Sequence, residues 1–134
     1  MKKILYTVLL IATSLAGCKE TDSLVNDANN IKMKDSLNKL YPTLAVGYVG
    51  VYVKDFKDVT ITLGDKELFA EADTRKEEII KQIADMVYGM YNANNYLDKG
   101  TVIFTPVEDR LHTADDPAKE YDMHLKELVK ANEK

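Results

Sequence analysis

Apolar and polar positions change period several times along the chain, and each change predicts an element. From Ile4 to Ala12 the residues are apolar apart from Tyr6 and Thr7, a block with no polar face. From about Leu24 to Tyr41, Met33, Leu37, Leu40 and then Leu44 fall three or four apart among Lys32, Lys34, Asp35 and Lys39. That is the spacing of a helix with one buried stripe. Pro42 should end it, because the residue before a proline is pushed out of the helical region. Leu44–Lys54 then turns β-branched and aromatic, with Val46, Tyr48 and Tyr52 on one face and Ala45, Val49, Val51 and Val53 on the other. Two apolar faces predict a central strand with Tyr48 and Tyr52 in the core. Gly47 and Gly50 predict a bulge or a close backbone approach.

Val59, Ile61 and Leu63 alternate with Thr60 and Thr62, a half-buried strand. Gly64-Asp65 reads as a two-residue turn with glycine first, leading into a second strand over Lys66–Glu71. The strongest helical signal runs from Asp73 to Asn92, with Ile79, Ile80, Ile83, Val87, Met90 and Tyr91 as its stripe. Thr74-Arg75-Lys76-Glu77 has the form of a capping box at its start. Thr101–Val107 is a further strand, Glu108–Asp116 a polar loop, and Asp116-Pro117 an N-cap followed by proline. The last helix would carry Ala118, Tyr121, Leu125, Leu128 and Val129 on its apolar face. This order predicts an α+β domain. Its four-stranded mixed sheet (β-β-β-α-β) would place the last strand beside the first. An N-terminal and a C-terminal helix would pack mainly on one face.

The apolar block near the N-terminus follows Met1-Lys2-Lys3 and precedes Thr13, Ser14 and Leu15-Ala16-Gly17-Cys18. A short basic region, a short apolar region and small residues make a secretory signal, and the apolar run is too short for a spanning helix of roughly 20 residues. Leu15-Ala16-Gly17-Cys18 resembles the lipobox of bacterial lipoproteins. The resemblance implies that fatty acyl chains, palmitate among them, are attached at Cys18, with cleavage before it. The boundaries implied are a signal peptide over 1–17, an acylated cysteine and tether over 18–23, and a single domain over 24–134. Two or three chains would hold such a protein on a bilayer stably, whereas one does so only marginally. Lys19 stands where an inner-membrane retention signal would have Asp, so the outer membrane is expected rather than the inner. The charged Lys19-Glu20-Thr21-Asp22 is similar to the export tag of surface lipoproteins in the Bacteroides group. The location implied is the bacterial cell envelope, periplasmic or surface-facing.

Composition narrows the function. The chain has 18 basic and 22 acidic side chains; removal of residues 1–17 takes two lysines and leaves 16 against 22, a net −6. An acidic body does not suit nucleic acid, where Lys and Arg must neutralise phosphate, nor a polybasic contact with anionic lipid. The single cysteine, once acylated, leaves no thiol for a disulfide, a nucleophile or a zinc site. Serine occurs only at Ser14, Ser23 and Ser36, none on a turn after a strand, and no glycine-rich phosphate loop is present. The paired carboxylates Asp55/Asp58 and Glu108/Asp109 sit beside strand ends, where turns are polar in any case. His124 borders the apolar stripe of the last helix.

These features point to a non-catalytic, membrane-anchored protein that needs no cofactor or metal and binds a protein partner or ligand in the envelope, of assembly, accessory or immunity type. Tyrosine gives interface area at low entropy cost. The expected contact residues are therefore Tyr88, Asn94, Asn95 and Tyr96 in and beside one turn, with Asp109 and His112 in the polar loop. The alternative is a small metal-dependent hydrolase using Asp109, His112 and Asp115, since oxygen-rich sets suit hard cations.

Overall fold

A computed structural model describes the backbone of residues 17–55, 57–91 and 97–133, with side chains from Ala28 onward. Residues 1–16, which hold all but the last residue of the expected signal peptide, and Asn94, Asn95 and Tyr96 lie outside the described residues. The architecture is α+β, with a four-stranded mixed sheet and helices. The elements are α1 (Gly17–Leu40), a 3-10 turn (Pro42–Ala45), β1 (Tyr48–Lys54), β2 (Asp58–Gly64), α2 (Lys66–Ala70), α3 (Asp73–Tyr91), β3 (Lys99–Thr105), β4 (Lys119–Asp122) and α4 (Leu125–Asn132). Strand order is β1-β2-β3-β4. The two outer pairs are antiparallel and β2 runs parallel to β3.

The core follows from register. Val51 lies opposite Ile61 and Ile61 opposite Val102, so one face of the sheet carries a continuous apolar row. Val59, Ile61 and Leu63 join Met33 and Leu37 of α1 and Ile79, Ile83 and Val87 of α3 in a single buried cluster. Each such side chain contributes about 1.5–3 kcal/mol by leaving water. The helices therefore pack on that face. Gly100 sits opposite Val59 in the next row of this face, and a Cβ there would lie 2.6 Å from Leu125 Cδ1, so glycine lets α4 start close against the sheet. Polar bonds join α1 and the residue after it to α3: Asn29 donates to the Met90 carbonyl (3.2 Å), Tyr91 Oη donates to Asn30 Oδ1 (2.7 Å), and Tyr41 Oη donates to Gln82 Oε1. Burial raises the pKa of both phenols.

Several expectations at the level of elements give way to the structure. Helix α1 ends at Leu40 ahead of Pro42, as the proline requires, and it already includes residues 18–23, which lie ahead of the helix expected from about Leu24. Lys66–Ala70 is helix α2 and not a strand, because Asp65 is an N-cap and not a turn residue. Its Oδ1 accepts from the backbone N–H of Glu67 (2.7 Å) and Leu68 (3.0 Å), and Lys, Glu, Leu and Ala are good helix formers. The edge of β2 thus freed is taken by β3, so the later strand lies beside β2 and not beside β1. Strand β1 is an edge strand, and Tyr52 is 64 % exposed instead of core. Tyr48 is half-buried, its ring lying across Gly50, where a Cβ would meet it at 2.9 Å.

The capping box at Thr74 does not form. The helix already includes Asp73, and Lys76 N–H donates to the Ala72 carbonyl (3.0 Å). At the C-terminal end, Lys119–Asp122 is a strand where the apolar spacing suggested helix. Tyr121 pairs with Val102, and its ring meets Phe104 edge-on at 5.6 Å. The last helix starts only at Leu125, after His124 turns the chain in the left-handed conformation (φ 54°).

Candidate functional site

Three arrangements carry chemistry: a polar loop, a buried lysine and an open groove. In the loop from Pro106 to Ala118, Asp116 is the hub. Arg110 donates to it with both terminal nitrogens (2.8 and 3.2 Å), and the Thr113 N–H donates to its Oδ2 (2.7 Å). The guanidinium and this amide hold its pKa down, from an ordinary 3.8 to about 2. The loop is closed at its base, where buried Thr105 donates from Oγ1 to the Pro117 carbonyl (2.9 Å). Asp116 is therefore occupied within its loop and does not cap a helix.

The sequence-predicted site residues do not assemble here. Asp109 is exposed, and His112 is half-buried with its Nδ1 lacking a partner among the described residues. Among those residues no group of three or more His, Cys, Asp or Glu side chains is arranged to hold a metal ion, so Asp109, His112 and Asp115 do not converge. Glu108 serves α2, accepting from the Lys66 N–H (3.1 Å), and Asp55 turns the chain between β1 and β2 with φ 54°. Tyr88 is half-buried on α3.

Lys76 is the residue that sequence reasoning missed. It is fully buried, and its Nζ donates to the Phe69 carbonyl at 2.7 Å, at the last turn of α2, where carbonyls concentrate negative potential. The ammonium lies 5.5 Å from the Phe69 ring centre and 5.6 Å from that of Phe104, and Lys119 Nζ lies 5.8 Å from the Phe69 ring centre. Burial lowers its pKa, and the neighbouring Lys119 lowers it further. Such a lysine has the electronic setting of a nucleophile, but its burial closes it to a dissolved substrate. The arrangement works as a cap on α2 and as a filler between two rings. Its position was legible, because residue 76 continues the stripe of Ile79, Ile80 and Ile83 by one helical step.

The groove lies between α3 and the segment formed by β4 and α4, with a volume of about 630 Å³. Ile80, Ala84, Met123 and Leu128 form its floor, all buried or half-buried. Tyr121 lines one end, its Oη donating to Asp73 Oδ1 at 3.4 Å. Along the rim stand exposed Glu77, Lys81 and Asp85 from α3 and Asp122, His124 and Glu127 from the other side. Helix α3 supplies positions 77, 80, 81, 84 and 85, and the C-terminal segment supplies 124, 127, 128 and 131. Each set follows the three-and-four spacing of one helix face, so the trough extends along about two turns, or ~12 Å. The left-handed turn at His124, fixed by its N–H donating to Asp122 Oδ1 (2.6 Å), aims α4 alongside α3. An apolar trough with charge confined to its rim suits binding of an apolar ridge better than acid–base chemistry, which needs titratable groups converging inside.

No family model, curated protein sequence or solved structure matches this chain. Among the described residues, no helix is long and apolar enough to cross a membrane.

Proposed function

We propose that this chain is a lipid-anchored protein of the bacterial envelope whose domain binds a protein partner without catalysing a reaction. The observation that carries the reading is the ordered series Met1-Lys2-Lys3, the apolar run from Ile4 to Ala12, and Leu15-Ala16-Gly17-Cys18. Acyl chains on Cys18 hold the protein at the bilayer, the outer membrane in preference to the inner. The acidic body is repelled by anionic headgroups and turned to a partner. Support for the binding half comes from the open apolar groove beside α3, with its charges set around and not within it.

Intact-mass measurement of the native protein tests the anchor. A chain beginning at Cys18 and carrying diacylglycerol and a further acyl group is expected, and Cys18→Ser should move the protein from the membrane fraction to the soluble one. A free thiol on an uncleaved chain would overturn the reading. Cross-linking in intact cells followed by mass spectrometry tests the binding half, with the same envelope protein expected in repeated captures.

A further inference from the structure

The groove's charge says what kind of partner fits it. Its rim carries four carboxylates, on Glu77, Asp85, Asp122 and Glu127, against one ammonium, on Lys81, and the imidazole of His124. None of these six groups takes part in the three ion pairs among the described residues, Arg75–Glu78, Arg110–Asp116 and Lys126–Asp98. The rim therefore presents unneutralised negative charge beside an apolar floor. Each wall is a helix face about two turns long, which matches the repeat of a third helix laid between them through residues at i, i+3 or i+4, and i+7. An anionic membrane or a nucleic acid would meet repulsion here, and an apolar ridge without charge would leave the carboxylates unanswered.

We propose that the groove between α3 and α4 docks a basic amphipathic helix of a partner protein. Its apolar residues seat on Ile80, Met123 and Leu128, and its Lys or Arg side chains pair with Glu77, Asp85 and Glu127. The inference rests on the partner-binding half of the proposed function and is independent of the anchor.

Fluorescence anisotropy on the full-length native protein tests it, in zwitterionic nanodiscs with empty discs as the blank if Cys18 is acylated, and in plain buffer with buffer as the blank if it is not. The probe is a labelled Leu/Lys peptide with leucine at i, i+4 and i+7. It is compared with a peptide of the same composition in scrambled order and with a Leu/Glu peptide of the same pattern. The ordered Leu/Lys peptide should bind roughly tenfold tighter than either control and should weaken as salt rises. The double charge reversal Asp85→Lys with Glu127→Lys, at two exposed positions, should reverse the preference toward the Leu/Glu peptide. Equal affinity for the scrambled peptide, no binding above the blank, or a preference unmoved by the reversal would overturn the proposal. Circular dichroism confirms that the variant is folded, and the peptide series on the unaltered protein decides the matter if it is not. Acylated Cys18 with a failed titration removes the groove alone; unmodified Cys18 with a successful one removes the anchor alone.

Discussion

Lys76 and Asp116 are two charged side chains held in opposite ways. Lys76 is enclosed, with one carbonyl and two rings in place of a carboxylate; Asp116 lies in a surface loop, held by a guanidinium and an amide. Both pKa values fall, but the causes differ and so do the consequences for stability. For Lys76 burial disfavours the charged form, so the folded state binds its proton more weakly than the unfolded chain does. Stability should therefore rise with pH toward the ordinary lysine value near 10.5, as the unfolded chain alone stays protonated. For Asp116 the ionised form is favoured, so its contribution is complete above the ordinary value of 3.8 and is lost as pH falls to about 2. One group opposes folding while it is charged and the other supports it.

Substitutions can break this contrast. Lys76→Ala should have the largest effect, about 2–4 kcal/mol in urea unfolding, because it empties the space between Phe69 and Phe104 and leaves the Phe69 carbonyl unpaired. Lys76→Met keeps the stem and removes the buried charge. It should unfold within about 1 kcal/mol of the parent at pH 7, since relief of desolvation offsets the lost hydrogen bond, and it should lack the parent's gain in stability on the alkaline side. If Lys76→Met is as damaging as Lys76→Ala, the ammonium and not the stem holds the site.

Smaller effects belong to the surface. Asp116→Asn should lower the urea midpoint modestly at neutral pH and match the parent near pH 2, so that the acid limb of the stability profile between about pH 4 and 2 flattens. An unaltered acid limb would show that other carboxylates dominate it. The smallest effect is expected for Lys126→Ala, which removes the exposed pair with Asp98 (2.7 Å) and should not shift the thermal midpoint measurably. A clear shift there would mean that an exposed pair matters as much as an enclosed one.

How much of this was legible depended on the length of each signal. The stripe from Ile79 to Val87 spans several turns and fixed α3 and its buried side, and the alternation of Val59, Ile61 and Leu63 fixed β2. Lys66–Ala70 and Lys119–Asp122 are too short to show a period of their own. Their state was decided by groups elsewhere: the Asp65 cap and Glu108 for the first, the open edge of β3 for the second. The groove was half visible, because Glu77, Lys81 and Asp85 are plainly the solvent side of α3. Its opposite wall depends on the left-handed turn at His124, which periodicity does not report. Tyr52 misled because an apolar face on a strand looks the same at an edge as in the centre.

The unbroken helix from Gly17 to Leu40 sets a height. Between Cys18 and Asn29, the first among the described side chains to bond to α3, roughly 11 residues at 1.5 Å each give ~16 Å of rise. With Cys18 in the bilayer, such a mast would hold the body at a fixed stand-off and restrict its swivel, where a slack leash of equal length would let it roam. A visitor would then have to arrive at that level above the headgroups.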